Sequence, residues 1–508
     1  LFFSCIYIYI MAGGGLIQLL AYGAQDVYLS GNPQITFFKA VYKRHTNFSC
    51  EAITQTFSGS PDFGRRVTCP ITRNGDLITK MYLVCKVSGT QNGTNKWGWA
   101  PQLGHALIDN VELEIGGSRI DKQYGDWMNV WHSLSRNNNH DAGYASMIGD
   151  TSAMTSLAAT HADSELYIPL QFFCCRNNGL ALPLISLQYH DVRVNFEFTA
   201  GASCVQYEGA TAPSVSMASC ELLVDFVFLD SEERKRFAQS SHEYLIEQVQ
   251  FTGSEAVNAT SVKTRLNFNH PCKALFWGVK ANKWMGTKMI AYSANSAELA
   301  EKSTILALAH LAGAGAVVTA TLGGVQYQIV KVNGNHAQVD NAAKFAALDT
   351  SDYVVAGPTL PLSEISKGAA SLVAYVGGTY VAGTGVTVNL HNNYGSNLDG
   401  SSNPVATGLL QLNGHDRFSE RDGMYFNQVQ PFQHFTNTPS DGINVYSFAL
   451  TPEEHQPSGS CNFSRIDNAQ LVLGVDAVAA AGAKLNVYAV NYNVLRVMSG
   501  MGGLAYSN

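Results

Sequence analysis

Histidine and cysteine are the residues of this chain that could support catalysis or bind a metal. The 508 residues include 14 histidines, but no HExxH zinc motif occurs. The pairs His190–Asp191, His242–Glu243 and His415–Asp416 are isolated neighbours, and neighbours on a strand point to opposite faces. We therefore predict no catalytic residues, no metal site and no cofactor, and we expect that the chain is not an enzyme.

The cysteines show no CxxC pair and no Cys/His spacing suited to zinc. We interpret them as buried thiols of a chain kept in a reducing compartment, with a disulfide framework as the alternative. The ten are Cys5, Cys50, Cys69, Cys85, Cys174, Cys175, Cys204, Cys220, Cys272 and Cys461.

Four N-x-S/T sequons are the candidate modification sites of the chain. They lie at Asn47, Asn92, Asn258 and Asn462. The tripeptide also arises by chance in a sequence rich in Asn, Ser and Thr. We treat all four as possible glycosylation sites that only export or a virus-specific machinery would use.

The composition favours assembly over catalysis or nucleic-acid binding. Charged residues make up only 14% of the chain, against a usual value of about 25%. The net charge of -7 argues against a general nucleic-acid binder, and we expect no direct sequence-specific binding of nucleic acid. A long chain with so few charges either buries an unusual fraction of itself or covers its faces with other subunits.

Alternation of apolar and polar residues predicts an overwhelmingly β protein. Gly, Asn, Pro and Ser punctuate the intervals between the strand-like stretches. The half-buried or β-rich stretches are 111–115, 192–198, 222–229, 266–269, 275–279 and 485–497.

Two stretches are predicted to be helical instead. One is 16–22 near the start, and the other is 230–248, where Asp230 and Glu233 fit a capping box. The second stretch carries the densest charge run of the chain. We interpret it as a solvated linker between two β domains.

An internal repeat supports two domains of one plan. Around Gly117 and Gly414 the two halves run in parallel, and the match continues through several spaced residues. Arg119, Gly125, Trp127 and Asn129 correspond to Arg417, Gly423, Tyr425 and Asn427. A second similarity relates the stretch from Glu165 to the stretch from Asn444. We therefore predict two β sandwiches in tandem.

The second domain carries a long stretch, about 280–410, that the first domain lacks. It is rich in Ala, Gly, Val and Thr, and "GVQYQIVKV" alternates as a short strand does. We expect an exposed insertion with small strands. Disorder is the alternative that the Gly and Ala content leaves open.

Eight blocks in fixed order carry a resemblance to a known family. The chain closely resembles the major capsid protein of nucleocytoplasmic large DNA viruses, especially the algal-virus branch, from Met11 to Asn508. The blocks are "MAGGGLIQLLAYGAQDVYLSGNPQITFFKAVYKRHTNF", "RNGDLITKMYLV", "LALPLISLQYHDV", "FLDSEERKRFAQSSHEYLIEQVQFTG", "LNFNHPCKALFWGV", "LNGHDRFSERDGMYFNQVQPFQ", "PSGSCNFSRIDNAQL" and "NYNVLRVMSGMGGLAY".

The resemblance implies an all-β chain of two tandem eight-stranded jelly rolls, with a long loop insertion in the second. It implies a structural protein whose homotrimers are pseudo-hexagonal capsomers that tile an icosahedral shell, assembled in the host cytoplasm. Expected partners are neighbouring capsomers, minor capsid proteins and an internal viral membrane. The segment from Met11 is expected on the inner side of the shell and the loops of the second jelly roll on the outer side.

The expected divisions of the chain combine these sequence patterns with the resemblance. Residues 1–10 are read as an extension upstream of the true start, 11–36 as the inner segment and 37–230 as the first jelly roll. Residues 231–248 form the linker, and 249–508 the second jelly roll with the insertion at about 280–410.

Lys39, Lys43 and Arg44, with His45, form a basic cluster near the inner segment. The cluster either contacts an acidic minor protein or lipid headgroups, or is a solvated turn.

The competing function is a carbohydrate-binding β sandwich, since jelly rolls also serve as lectins. That function requires no second, matching sandwich. No paired carboxylates suited to glycosidic chemistry stand out either.

Overall fold

The structure is a computed structural model of the chain. It describes residues 21, 23–33, 43–91, 95–208, 211–292 and 386–506, with gaps at 397–399, 401 and 477–481; between 293 and 385 it describes only the backbone of five strands. The chain divides into the units 1–47 and 48–508. The first unit contains the helical turn α1, Val27–Ser30, and the predicted helix at 16–22 lies almost wholly outside the described residues.

Eight strands of the second unit form a first sandwich. One sheet has the order β1-β8-β3-β6 and the other the order β2-β7-β4-β5. This path, in which the first and last strands lie side by side, is that of a jelly roll. The strands are β1 Phe48–Gln55, β2 Arg66–Pro70, β3 Leu77–Thr90, β4 Ile108–Ile115, β5 Ser118–Tyr124, β6 Ser164–Pro169, β7 Val192–Phe198 and β8 Ser214–Leu229.

A second sandwich repeats this path with the next eight strands. Its sheets have the orders β9-β16-β11-β14 and β10-β15-β12-β13, so each strand matches the one eight places earlier. The strands are β9 His242–Phe251, β10 Ser261–Arg265, β11 Pro271–Ala281, β12 Val405–Leu412, β13 His415–Asp416, β14 Ile443–Ser447, β15 Ala469–Val475 and β16 Ala483–Met498. The predicted pair of tandem eight-stranded jelly rolls is confirmed.

Each sandwich encloses its own apolar core. In β4, Val111, Leu113 and Ile115 are fully buried, as the two-residue alternation predicts. In the second core, Trp277 and Leu473 are equally enclosed. Burying one such side chain stabilises the fold by about 1.5–3 kcal/mol relative to leaving it in water.

Glycines at matching positions show that the repeat is structural. Gly117 (φ 83°) and Gly414 (φ 81°) each complete a tight hairpin turn, where a positive φ favours glycine. A Cβ on Gly125 would lie 2.3 Å from the carbonyl oxygen of Ile108, the first residue of β4. A Cβ on Gly423 would lie 1.8 Å from that of Val405, the first residue of β12.

The remaining helices are short and lie between strands. A π-helical turn, Tyr425–Val429, precedes the last of them. They are α2 Leu103–Leu107, α3 Gly125–Ser135, α4 Asp141–Met147, α5 Ser152–Thr155, α6 Phe173–Arg176, α7 Ser231–Gln239 and α8 Gln430–His434.

The helix predicted over 230–248 is wrong in its second half. Helix α7 begins after Asp230, whose side chain caps it by accepting a hydrogen bond from the Glu232 backbone N–H at 2.7 Å. The helix ends at Gln239, and β9 begins at His242. The apolar residues of this stretch suit either period, and pairing along the whole of β9 with β16 decides in favour of the strand.

The predicted strand at 266–269 is also absent. Leu266 and Phe268 are buried while Asn267 and Asn269 are exposed, so the predicted alternation is present. The stretch follows β10 but makes no ladder of its own. The backbone N–H of Leu266 donates to Ala469, and β10 already ends at Arg265.

The long stretch after β11 contains the small strands that its alternation predicts. Four of them form a sheet of their own, with Val325–Lys331 inside the alternating "GVQYQIVKV". The remaining described strands are Trp97–Trp99, Leu182–Pro183, Val205–Glu208, Glu255–Val257, Met285–Tyr292, Val317–Leu322, Val325–Lys331, Ala337–Val339, Tyr353–Val355, Ser371–Ala374, Val386–Asn389, Arg421–Asp422, Cys461–Asn462 and Met501–Leu504.

Candidate functional site

The two sandwiches meet along a seam, which we define as the contact of α3 with the outer face of the sheet β9-β16-β11-β14. Trp127, Trp131 and Leu134 of α3 are buried there with Phe276 and Tyr488 of the second sandwich. The ring of Trp127 lies 5.0 Å from that of Phe276, edge to face, and 5.7 Å from that of Tyr488. Aromatic pairs in such geometry add about 0.5–1.5 kcal/mol beyond the area they bury.

A buried ionic cluster crosses the seam. Glu247 on β9 accepts from Lys273 Nζ at 2.7 Å and from Arg176 Nη1, of the first sandwich, at 3.2 Å. The side chains of Lys273 and Glu247 are 1% and 7% exposed. Burial lowers the pKa of Lys273, and the Glu247 carboxylate opposes that shift. Because Glu247 pairs with Lys273 of its own sandwich and with Arg176 of the other, the Arg176–Glu247 ion pair links the two sandwiches through a buried charge.

A second set of polar contacts crosses the seam nearby. Lys280 Nζ lies 2.5 Å from an oxygen of Asp126, at the start of α3, and Asn486 donates to the other oxygen at 3.2 Å. At the β9 edge of the sheet, the backbone N–H of Val249 donates to a carboxylate oxygen of Asp121, on β5 of the first sandwich, at 3.1 Å. Burial raises the pKa of the Asp121 carboxyl to about 6.

The insertion ties the sandwiches together at one end. Its strand Val386–Asn389 pairs with Val205–Glu208, a strand that follows β7 in the first sandwich. The Asn389 side-chain amide donates to the carbonyl oxygens of Ala202 and Val205 at 3.0 and 2.7 Å. The base of the insertion is therefore shared by both domains and does not belong to the second alone.

Two histidines of the first sandwich, the buried His105 and the half-buried His132, lie behind the seam. His132, near the end of α3, stacks on Tyr144 with ring centroids 3.6 Å apart. His105 Nε2 lies 2.7 Å from the Tyr144 hydroxyl. Burial lowers the pKa of His105 to about 3 and that of His132 to about 4. Both imidazoles are therefore neutral at physiological pH.

One helical surface is exposed although its counterpart is buried. At the spacing of the repeat, Trp131 and Leu134 of α3 correspond to Val429 and Phe432. Phe432 is 84% exposed, and Met424, at the start of the same helical segment, is 55% exposed. We call Met424, Val429 and Phe432 the exposed helix face.

A sheet surface shows the same difference. The outer face of β9-β16-β11-β14 is covered by α3, whereas that of β1-β8-β3-β6 is covered at one end, where Val227 is buried with Ala181 and Phe237 of α7 packs against them. Tyr82, Val84, Tyr167 and Leu223 lie there, with Tyr82 opposite Leu223 and Val84 opposite Tyr167. All four are partly exposed, and we call them the outer sheet face.

The predicted surface residues have separate positions in the chain. Asn47, Asn258 and Asn462 are exposed, and so are Lys43 and Arg44. Asn92 and Lys39 lie outside the described residues. Asn258 precedes β10, and Asn462 lies opposite Pro271 at the start of β11, so no common site forms from these two.

Within the described part of the chain, no group of three His, Cys, Asp or Glu side chains is placed to hold a metal. Six cysteines there are buried, Cys175 and Cys461 are half-buried and Cys50 is exposed. No described helix is long and apolar enough to cross a bilayer. Sequence reasoning missed the seam, because its charge partners lie far apart and follow no local pattern.

Two jelly rolls locked side by side define the class of double jelly-roll capsid proteins, and the comparisons agree. The family model "Large eukaryotic DNA virus major capsid protein" matches residues 233–503, and "Major capsid protein N-terminus" matches 36–230. The chain therefore belongs to the major capsid protein family of large eukaryotic DNA viruses. It is a structural component of a virion capsid.

Individual relatives cover nearly the whole chain. It is 45% identical to the major capsid protein of Phaeocystis pouchetii virus and 40% identical to that of Paramecium bursaria Chlorella virus 1, each match covering 97% of this chain and 100% of the relative. A chain of the "PBCV-1 virus capsid, quasi-atomic model" superposes with a TM-score of 0.63 at 34% identity, covering 93% of this chain and 100% of that one. The resemblance predicted from the sequence is confirmed.

Proposed function

We propose that three copies of this chain close into a ring through a contact that repeats the seam. The exposed helix face of one copy packs on the outer sheet face of the next, as α3 packs on the second sandwich within the chain. The observation that carries this proposal is the exposure of Phe432 at the position where the repeat buries Leu134. An exposed apolar patch of this kind marks an interaction surface.

A closed ring follows when the contact between chains has the same geometry as the seam within each chain. A head-to-tail contact between unlike surfaces gives a closed ring when its rotation permits, and an open filament otherwise. Three chains contribute six similar sandwiches, which gives the ring a pseudo-hexagonal outline. Such capsomers tile a plane with one kind of lateral contact, and low surface charge limits the desolvation cost of those contacts.

The ends of the sandwiches give the capsomer a direction. Lys280 pairs with Lys484, so the insertion leaves β11 where β16 begins. β16 ends at the opposite end, beside the start of β9. We propose that the insertion end faces outward on an icosahedral shell and that the segment before β1 faces inward, towards minor capsid proteins and an internal membrane, with Lys43 and Arg44 as contacts.

This direction separates the sequons. Val257, next to Asn258, pairs with Ala483 at the insertion end, whereas Asn462 lies at the other end. We propose Asn258 as the glycan-bearing site of these two. The proposed division of the chain now places the first jelly roll at 37–230, the linker at 231–241 and the second jelly roll from His242, since β9 pairs along its whole length. Assembly in the host cytoplasm is the proposed route.

The test is the mass of the purified chain in solution. Multi-angle light scattering of the wild-type chain should give three times 54.8 kDa, and Phe432→Asp should give a single chain with an unchanged circular dichroism spectrum. Tyr506→Ser, another exposed aromatic at 60%, is the matched control and should remain trimeric. A wild-type chain that stays monomeric at high concentration, or a Phe432→Asp variant that stays trimeric, contradicts the proposal.

A further inference from the structure

Two cysteines of the second sandwich lie directly opposite each other on paired strands. Cys272, near the start of β11, pairs in antiparallel register with Cys461. Directly opposite residues point to the same face, with Cβ atoms about 4.5–5.5 Å apart. Directly opposite Cα atoms of antiparallel strands lie about 4.5–5.5 Å apart, within the roughly 4.4–6.8 Å that a disulfide needs. The Cβ atoms must approach to about 3.5–4.5 Å, which requires a small movement of the two strands towards each other.

We propose that Cys272 and Cys461 form a reversible cross-strand disulfide when the particle meets an oxidising medium. Both are free thiols in the structure. Disulfides persist outside cells and are rare inside them, so a released virion passes from one condition to the other. The disulfide then forms after the capsid protein has folded and cross-links the two strands.

Accessibility distinguishes this pair from a similar one in the first sandwich. Cys85 and Cys220 also lie opposite each other, on β3 and β8, but both are enclosed in the core. Cys461 is half-buried and borders solvent, whereas Cys272 is fully enclosed. An oxidant therefore reaches Cys461 first. Burial raises the pKa of the Cys461 thiol, and the nearby Arg417 guanidinium opposes that rise.

The chemistry is thiol–disulfide exchange with a small-molecule disulfide such as oxidised glutathione. The Cys461 thiolate attacks one glutathione sulfur, which breaks the glutathione S–S bond and releases one glutathione thiolate. The Cys272 thiol then loses its proton and attacks the Cys461 sulfur of the mixed disulfide, which releases the second glutathione. Two protein thiols are oxidised and one disulfide is reduced, so electrons and atoms balance.

The link would hold a loop over the seam. Residues 448–460 connect β14 to Cys461, and the carbonyl oxygen of Glu454 in this loop accepts from Lys273 Nζ at 2.8 Å. His455 Nδ1 lies 3.7 Å from the Glu247 carboxylate. Joining Cys461 to Cys272 therefore fixes the loop beside the buried ionic cluster and keeps water from it.

The experiment uses the folded full chain and oxidised glutathione in mildly alkaline buffer. Free thiols are then alkylated, and the peptides are mapped by mass spectrometry without reduction. We expect a Cys272–Cys461 linked peptide, while Cys85 and Cys220 are recovered as thiols and become alkylated only after denaturation. Reduction should restore both free peptides.

Two variants make the test specific. Cys461→Ser should give no linked peptide, and Cys50→Ser, which removes an exposed thiol, should leave the link unchanged. A wild-type chain in which Cys461 carries glutathione while Cys272 stays free shows that the sulfurs cannot meet, which overturns the proposal. A link that forms only in denaturant, or no modification at either cysteine, overturns it equally.

Discussion

The two helices that follow the hairpin turns differ in what they contact. Helix α3 begins at Gly125 and buries Trp127, Trp131 and Leu134 on the second sandwich of the same chain. The corresponding helical segment ends with α8 and leaves Phe432 in solvent. The apolar face of the first helix is thus buried within the chain, whereas that of the corresponding second helix is exposed.

In the proposed trimer, this difference connects duplication of the sandwich with assembly. A single sandwich with one helix face and one sheet face could join head to tail with itself. Fusion of two copies makes one of these contacts intramolecular and leaves one helix face and one sheet face exposed. In the proposed trimer, half of these contacts form within the folded chain, and the other half depend on concentration and on partner copies.

Removing the charge at the centre of the seam should have the largest effect on the isolated chain. Glu247→Gln leaves the buried Lys273 ammonium and the Arg176 guanidinium without a counter-charge. We expect a loss of about 3–5 kcal/mol in the free energy of unfolding, measured by chemical denaturation.

Glu243 on the same strand is the control. It pairs with Arg496, and these side chains are 58% and 52% exposed. Glu243→Gln should cost less than about 1 kcal/mol because water screens an exposed pair. Equal losses in the two variants would show that the seam is not held by the buried charges.

Truncation of the two corresponding helix residues should separate folding from assembly. Leu134→Ala opens a cavity in the seam and should cost about 2–5 kcal/mol of unfolding free energy. Phe432→Ala removes an exposed ring and should change the stability of the monomer by less than about 0.5 kcal/mol. Trimer dissociation, followed by light scattering on dilution, should show the reverse order of sensitivity. If Phe432→Ala destabilises the monomer as much as Leu134→Ala does, the helix face is not free.

The third expected effect is a loss of stability at the seam in acid. The pKa of His132 is lowered to about 4 and that of His105 to about 3, so the unfolded chain takes up these protons at higher pH than the folded one. The stability that these neutral rings contribute is present above pH 6.5 and is lost progressively as the pH falls towards 4. Asp121 acts with the opposite sign, because its raised pKa of about 6 favours the folded state in acid.

The measurement is the thermal midpoint against pH for the wild type and for His132→Gln. The variant should lose less stability than the wild type between pH 6.5 and 4. His140→Gln, an exposed residue after the same helix, should follow the wild-type curve. A His132→Gln curve parallel to that of the wild type would remove this residue from the acid response.

The local design of the sandwiches could be read from the sequence. Period-two alternation in 192–198 predicted β7 to the residue, and Gly117 with Gly414 predicted matching hairpins. The prediction failed where local preference was ambiguous. The stretch from His242 suits a helix or a strand, and only β16, more than two hundred residues later in the chain, provides the partner that makes it β9.

The sequence by itself determined the strands, the turns and the repeat, because these depend on backbone sterics and on burial patterns between near neighbours. Only the tertiary structure decided the seam. The buried site joins three different elements, since Arg176 lies in the first sandwich and Glu247 and Lys273 lie on two strands of the second. Their spacing in the sequence does not predict that they meet. Their pairing follows from the desolvation of charges that folding brings together, which no local pattern encodes.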